Sequence, residues 1–173
     1  PVVGSGNPHA PILMVGEAPG VNEWTDGIPF TGKSGTLLRN MLSDNGFTGA
    51  HLAFANCLMC RPTDKVNGQD QDRKPEPEEL KSCMGFLLKQ IALIAPYVIV
   101  GVGGTTARSL FGFKTNVPIE DIRGVPFYIR GLTLTRRRIN DIIKGMLKCD
   151  VCGFPEKIVD EDEPDYITCS DFC

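Results

Sequence analysis

Three residues in the first third of the chain carry side chains suited to holding a planar ligand and acting on it. Glu17 lies in the glycine-rich segment 16–20, where a carboxylate can orient a water molecule or stabilise a developing positive charge. Phe30 lies in a Pro-Phe pair between glycines and offers a flat face for stacking. Asn56 carries an amide that both donates and accepts hydrogen bonds. Together they predict a pocket that stacks a ring and reads its polar edge.

Each of these residues also has a purely structural interpretation. Gly16 and Gly20 would let backbone amides approach a ligand closely, but they would equally serve a tight turn. Glu17 could be an exposed loop residue, Phe30 a core residue, and Asn56 the cap of a helix or a turn. The residues alone leave both interpretations open.

The cysteines near the carboxyl terminus form a second candidate site. Cys149, Cys152, Cys169 and Cys173 lie within 25 residues, and the first pair has the Cys-x-x-Cys spacing of zinc ribbons. We therefore expect a tetrahedral zinc ion on these four thiolates. The chain has seven cysteines, an odd number, and no visible secretory signal, which favours reduced thiols in an intracellular, reducing compartment over a disulfide framework.

A third pattern is the segment 27–34, which matches the phosphate-binding loop pattern G-x-x-x-x-G-K-S. Its surroundings argue against nucleotide hydrolysis. The preceding segment 21–26 is polar and unlike the buried strand that such a loop requires. Pro29 also removes one of the backbone amides that would hold the phosphates. We therefore interpret the match as coincidence.

The hydrophobic pattern predicts the elements that position these residues. Short apolar runs predict strands over residues 10–15, 52–58 and 97–102, and amphipathic patterns predict helices over residues 35–42, 78–95 and 105–111. This alternation indicates a three-layer α/β/α fold, with a central parallel sheet flanked by helices and a small Cys-rich metal knuckle at the carboxyl terminus. Ligands then bind at the carboxyl ends of the strands.

The distribution of charge divides the chain into two predicted parts. The net charge is −3, but residues 149–173 hold eight acidic residues against one lysine, so residues 1–148 carry a net charge of +4. We expect a main domain over residues 1–148 and a Cys-rich, zinc-ribbon-like tail over residues 149–173. The basic run Arg136 to Arg138 is compatible with phosphate contact. The longest apolar stretch, residues 91–102, is interrupted by Pro96 and is too short to span a membrane.

The spacing of several residues resembles the iron-sulfur, thermophile-type branch, called family 4, of the uracil-DNA glycosylases. The resemblance covers roughly residues 3–111. It rests on the opening motif, Gly16-Glu-Ala-Pro-Gly20 followed by Glu23, Gly27, Pro29-Phe30, Gly32, Gly35 and Leu37-Leu38, and on Asn56-Cys-Leu-Met-Cys60-Arg-Pro62. It implies an enzyme that recognises uracil in DNA and removes it by hydrolysis.

The resemblance also implies roles for individual residues. Gly16, Phe30 and Asn56 would bind the flipped base, and Glu17 would position water or stabilise the sugar cation. The family's late histidine, which stabilises the uracil anion, has no counterpart here because the only histidines are His9 and His51. We therefore expect weakened catalysis.

The family's four-iron, four-sulfur cluster is a second expected cofactor. Cys60 and Cys83 match two of its four ligands, and Cys149 with Cys152 could complete the set, although zinc on the tail remains the simpler expectation. Cys57 makes a Cys-x-x-Cys pair with Cys60, which leaves open which cysteines bind metal.

Two functions from other classes remain open. The chain could be a binding module that recognises uracil-containing or single-stranded DNA without cutting it. It could also be an accessory protein that docks a polymerase or another replication or repair protein through its metal tail. In each case the expected partner is DNA, single- or double-stranded, and a membrane is not involved.

Overall fold

The structure is a computed structural model that describes residues 1–111 together with Pro118 and Gly124. Residues 1–111 belong to one compact unit, Pro1–Phe113. In chain order its elements are β1 (Ser5–Gly6), β2 (Ile12–Gly16), α1 (Val21–Asp26), α2 (Lys33–Asp44), β3 (Leu52–Asn56), β4 (Thr63–Val66), β5 (Gln69–Asp72), α3 (Pro77–Ile94), β6 (Val98–Gly101) and α4 (Gly104–Phe111).

The central sheet has four strands in the order β1-β3-β2-β6. Strand β2 pairs in parallel with β3 on one side and with β6 on the other, which confirms the predicted parallel core. The edge strand β1 pairs antiparallel with β3, so the sheet is mostly rather than wholly parallel. Sequence reasoning did not predict β1 because two residues are too few to show a periodic pattern.

Strands β2 and β3 are buried along their whole length, as expected for the middle of a sheet covered on both faces. On one face their side chains form an apolar cluster with the partly buried Leu38 and Leu42 of α2; its strand members are Ile12, Met14, Leu52 and Phe54. On the other face α3 covers the sheet and contributes the fully buried Leu87. The side chain of Gln90, also on α3, accepts a hydrogen bond from the backbone of Gly4.

Helix α1 is an element that the sequence did not predict. Its first turn is fixed by Glu23, whose carboxylate accepts a hydrogen bond from the backbone N–H of Gly20 at 2.6 Å. It ends at Gly27, whose φ of 72° is in the left-handed region that favours glycine. None of its six residues is buried, so the helix lacks the apolar face that a sequence pattern could reveal.

The hairpin formed by β4 and β5 was also missed. Its two-residue turn is Asn67-Gly68, with φ of 50° and 80°, and this is the residue pair that a tight hairpin turn favours. The strands are nearly all exposed, so they lack the apolar alternation by which strands are recognised. At its base, Arg61 forms an ion pair with Asp72.

Several predictions fall on residues that the structure does not describe. They are the Arg136 to Arg138 run, the zinc site on Cys149, Cys152, Cys169 and Cys173, and the division into domains at residue 148. These stay predictions. Within residues 1–111, no helix is long and apolar enough to cross a membrane.

Two helical glycines provide a matched test of this packing. A Cβ atom at Gly35, near the start of α2, would lie 2.5 Å from Cα and O of Phe30. Gly35→Ala should therefore lower the free energy of unfolding, by roughly 1 to 3 kcal/mol for an overpacked site. A Cβ atom at Gly85, inside α3, meets nothing within 4 Å, so Gly85→Ala should raise that free energy by about 0.5 to 1 kcal/mol. Urea unfolding measures both values, and equal effects of the same sign would contradict this packing.

Candidate functional site

The candidate site is built where β2 and β3 end side by side. Gly16 and Asn56 are the last residues of these strands and are paired in the parallel ladder. The backbone N–H of Cys57 donates to Gly16 O at 2.9 Å, which continues the pairing one residue further. The predicted ligand residues therefore meet at the carboxyl ends of parallel strands, where open α/β sheets bind ligands.

The Asn56 amide and the Phe30 ring converge on Gly16. A Cβ atom at position 16 would lie 2.5 Å from Asn56 Oδ1 and 2.8 Å from Phe30 Cζ. Glycine is therefore required here because of this close approach. The side chains that come together are nearly inaccessible, with 4% of Asn56 and 7% of Phe30 exposed.

The amide nitrogen of Asn56 has no hydrogen-bond partner. Within residues 1–111, Asn56 Nδ2 is the only buried side-chain nitrogen or oxygen atom without a hydrogen-bond partner. Leaving such a group unsatisfied costs about 1 to 3 kcal/mol, so an orphaned donor beside a stacking ring suggests a ligand that supplies the acceptor. A capping asparagine would instead accept a hydrogen bond from the backbone of the turn or helix that it caps.

Phe30 is a core residue with an uncommon backbone conformation. Its ring packs against Phe54, with centroids 5.3 Å apart and planes inclined at 49°, and it belongs to the apolar cluster under α2. Its backbone has a φ of 60°, an uncommon conformation for a residue with a side chain, which typically costs about 1 to 3 kcal/mol. Such a cost is tolerated where the surrounding contacts fix the residue for a function.

Glu17 is half-buried and directly follows Gly16. Its backbone oxygen accepts a hydrogen bond from the N–H of Leu58 at 3.0 Å, so it is held beside the end of β3. The neighbouring Cys57 is completely buried. Burial is the main cause that raises the pKa of the Cys57 thiol to about 11; a hydrogen bond with Thr106 lowers this pKa, and the Glu17 charge raises it. The Glu17 carboxylate therefore lies close enough to the Cys57 thiol to affect its pKa.

Cys60 and Cys83, the two expected cluster ligands, line one cleft of about 350 Å³. Cys60 is exposed and Cys83 is half-buried, so both thiols can be reached from this cleft, whereas Cys57 is buried. No group of three or more histidine, cysteine or acidic side chains is arranged for metal binding within residues 1–111.

Neither histidine is near the pocket. His51 precedes β3, and Asn56 is the last residue of that strand, so at about 3.3 Å per residue they lie roughly 16 Å apart. The His51 ring nitrogen Nδ1 accepts a hydrogen bond from the backbone N–H of Thr48. His9 is exposed and precedes β2. Neither side chain replaces a donor at the ligand.

The structure around residues 27–34 is not that of a phosphate-binding loop. The segment before it is helix α1 rather than a buried strand. Gly27 ends that helix, and Gly32 is the N-cap residue that precedes α2. The match therefore joins two helix ends, and Lys33 is exposed.

The sequence did not identify Arg39 and Phe54, which both contact Phe30 in the structure. Phe54 is on β3 and carries the ring contact, while the guanidinium of Arg39 donates to the backbone oxygens of Pro29 and Phe30. One signal was present in the sequence. Arg39 follows Gly35 by four residues, so the two lie on the same face of α2, and Gly35 belongs to the quoted motif.

Comparison with known proteins adds four findings. Residues 3–148 match the model of the uracil DNA glycosylase superfamily. The type-4 uracil-DNA glycosylase of Thermotoga maritima is 41% identical over 125 residues, which are 72% of this chain and 61% of that protein. The type-4 uracil-DNA glycosylase of Archaeoglobus fulgidus is 40% identical over 110 residues, 64% of this chain and 52% of that protein.

A DNA polymerase of Bacillus phage SP01 is 28% identical over 131 residues, 76% of this chain but 13% of that protein. The chain thus spans little more than half of the two glycosylases and a small part of the polymerase.

The burial of Cys57 predicts a difference in thiol reactivity. Because its pKa is raised to about 11, at pH 8 only about one part in a thousand is thiolate, the form that reacts with iodoacetamide. In metal-free protein, Cys60 should be alkylated at least about 100-fold faster than Cys57. Pulsed alkylation followed by peptide mass spectrometry measures both rates, with guanidinium-unfolded protein as the control. Equal rates in the folded protein would show that Cys57 is accessible.

Proposed function

Because the chain belongs to the uracil-DNA glycosylase superfamily, we propose that it recognises uracil in DNA and excises it by hydrolysis of the N-glycosyl bond. The observation that carries this proposal is the orphaned Asn56 amide, buried beside the Phe30 ring at the end of two parallel strands. A base is the ligand that suits such a pocket because it has a flat face and a polar edge.

Asn56 supplies the edge recognition. Its Nδ2 donates to uracil O4, and its Oδ1 accepts from uracil N3–H, so both ends of the amide are satisfied at once. Cytosine presents an amino group in place of O4 and an unprotonated N3 in place of N3–H. Both contacts are then mismatched, and two donors or two acceptors face each other. An unpaired Asn56 amide costs free energy, and uracil pairs both of its ends whereas cytosine does not. Asn56 therefore favours uracil over cytosine.

Phe30 supplies the stacking face. Uracil must leave the helical stack to reach the pocket, which costs a few kcal/mol, and stacking on an aromatic ring recovers part of that cost. The ring is held from behind by Phe54, so it does not have to be ordered when the base arrives. Gly16 allows Asn56 and Phe30 to come together because a Cβ atom at this position would collide with both side chains.

Glu17 is proposed to act on the sugar. The bond between C1′ and uracil N1 breaks, and its electron pair leaves with the base. Water adds to C1′ and loses a proton to the solvent, and the uracil anion takes up a proton from the solvent. A carboxylate beside the pocket can orient that water and stabilise the positive charge on the sugar. The departing uracil anion has no histidine donor within residues 1–111. Loss of such a donor typically lowers the rate by about two to three orders of magnitude, so we infer slow excision.

A second candidate function is binding without cleavage. Within residues 1–111 it is favoured by the remote positions of His9 and His51, since the proposed recognition residues Phe30 and Asn56 converge on Gly16 and no histidine lies beside them. The similarity to a phage DNA polymerase is compatible with a module that serves replication. The partner would then be DNA containing uracil, single- or double-stranded, and replication or repair proteins.

The metal chemistry is also a proposal. Cys60 and Cys83 line one cleft and are accessible there, which fits two of the four thiolates that a four-iron, four-sulfur cluster needs. Such a cluster would fix the segment after β3 to α3 and so support the pocket. A zinc ion on the carboxyl-terminal cysteines is the alternative; Cys149 and Cys152 belong to both proposed ligand sets, whereas Cys60 and Cys83 belong to the cluster alone.

The recognition step predicts the behaviour of Asn56→Asp. The carboxylate cannot donate to uracil O4, and the lost pairing costs about 1 to 3 kcal/mol, or roughly tenfold or more in affinity. Fluorescence anisotropy should show that the unchanged protein binds uracil-containing single strands more tightly than thymine-containing ones, and that Asn56→Asp weakens this preference. Asn40→Asp, the same change on the exposed face of α2, is the control.

An abasic-site assay on the same oligonucleotides separates the two candidate functions. Slow excision that Glu17→Ala lowers further would support the glycosylase, whereas uracil preference without excision would support the binding module. Equal affinity of the unchanged protein for both strands would remove the pocket from either function.

The two metal proposals predict different elemental compositions. With a cluster, the protein contains iron and acid-labile sulfide, and Cys60→Ser or Cys83→Ser lowers both because each removes a ligand. With tail zinc, the protein contains about one zinc per chain, which Cys149→Ser removes and Cys60→Ser does not. Plasma emission spectrometry and sulfide analysis measure both. Full iron content in Cys60→Ser and Cys83→Ser would exclude the cluster proposal.

A further inference from the structure

The backbone at Phe30 adopts a conformation that a residue with a side chain does not favour. Phe30 has a φ of 60°, in the left-handed region that residues with a side chain seldom occupy. The start of α2 comes so close that a Cβ atom at Gly35 would meet the Phe30 backbone. Contacts from other residues must therefore hold the Phe30 backbone in this conformation.

The guanidinium of Arg39 makes the contacts that hold it. Its Nε donates to Phe30 O at 2.9 Å, and its Nη2 donates to Pro29 O at 3.0 Å. These two carbonyls lie on either side of the strained Phe30 Cα atom. The planar guanidinium has fixed donor directions and can hold both carbonyls at once. The same contacts satisfy two partly buried backbone oxygens.

Arg39 also contacts the ring that supports Phe30. Its guanidinium carbon lies 3.7 Å from the centroid of the Phe54 ring, within the range of a cation–π interaction. The Phe54 ring in turn packs against Phe30 at 5.3 Å. A single side chain thus fixes both the backbone of the stacking residue and the surface behind it.

The Glu23 carboxylate is a charged neighbour of Arg39. Arg39 is half-buried, and burial lowers the pKa of its guanidinium from the usual value while the Glu23 carboxylate raises it. Glu23 also caps helix α1 through the N–H of Gly20. Glu23 therefore holds the loop after β2 to helix α1, while Arg39 holds the Pro29 and Phe30 backbone to α2.

We propose that Arg39 is a positioning residue that holds Phe30 ready to stack on the flipped base. This inference rests on the proposed function, since it assumes that Phe30 is the stacking residue. The alternative for an arginine on a DNA-binding protein is a phosphate contact. Two of its donor groups already face carbonyls, so the structure favours positioning, and phosphate contact becomes an outcome of the test.

The test compares Arg39→Lys and Arg39→Ala in binding to matched single strands that contain uracil or thymine. Lysine keeps the charge but lacks the planar fork, so both variants should lose about tenfold or more in affinity for the uracil strand. Affinity for the thymine strand should change less than about twofold, because binding to phosphates is preserved. Lys33→Ala, which removes an exposed charge from the same helix, should affect both strands alike. Should Arg39→Ala unfold, Arg39→Lys carries the test.

A double-mutant cycle with Phe30→Ala then separates positioning from general stability. If Arg39 acts through Phe30, Arg39→Lys should have no further effect on uracil affinity once Phe30 is alanine. An equal loss in both backgrounds would overturn the proposal. Equal losses for uracil and thymine strands, with a smaller salt dependence, would assign Arg39 to phosphate contact instead. A wild-type protein without uracil preference would overturn the proposed function itself, which the variants alone cannot do.

Discussion

The close approach of Gly16 to the Asn56 amide and the Phe30 ring is the constraint on which the rest of the described fold depends. It arises because β2 and β3 are parallel and end in register, so the last residues of both strands are neighbours. A side chain at position 16 would collide with both groups. The position of the Asn56 amide beside Gly16 is therefore a consequence of strand pairing, whereas the segment between α1 and α2 brings the Phe30 ring to the same place.

The support for Phe30 illustrates this. The chain leaves β2, forms α1 and then turns sharply into α2, which brings Phe30 back over the sheet. Gly35 allows α2 to approach, and Phe54 on β3 provides the surface on which the ring rests. The left-handed backbone of Phe30 costs free energy, and the two hydrogen bonds from Arg39 offset it. A rigid aromatic face loses little conformational entropy when a base stacks on it.

The sequence predicted the parts of this arrangement that follow from apolar patterns. Strands β2 and β3 and helix α3 bury enough apolar side chains to be recognised, and their alternation indicated a parallel sheet with ligand residues at its carboxyl edge. Helix α1 and the β4–β5 hairpin were not predicted because none of the α1 side chains is buried and the hairpin strands are nearly all exposed. Local hydrogen bonds and glycine turns stabilise them, and such interactions leave weak patterns.

The candidate site was only partly predictable for a similar reason. Gly16, Phe30 and Asn56 could be identified by motif spacing, and strand order brings the first and last together. The backbone strain at Phe30 and the fork of Arg39 depend on how α2 packs against the preceding turn. That packing is a tertiary contact, and the sequence showed only that Gly35 and Arg39 share a helix face.

A crystal structure of the chain with bound uracil tests the central claim most directly. The account predicts that Asn56 Nδ2 lies about 2.9 Å from uracil O4, with the face of the Phe30 ring stacked on the base. It also predicts that Arg39 keeps its hydrogen bonds to the backbone oxygens of Pro29 and Phe30. Uracil bound elsewhere, or bound with the Asn56 amide still unpaired, would contradict the claim that this amide reads the base.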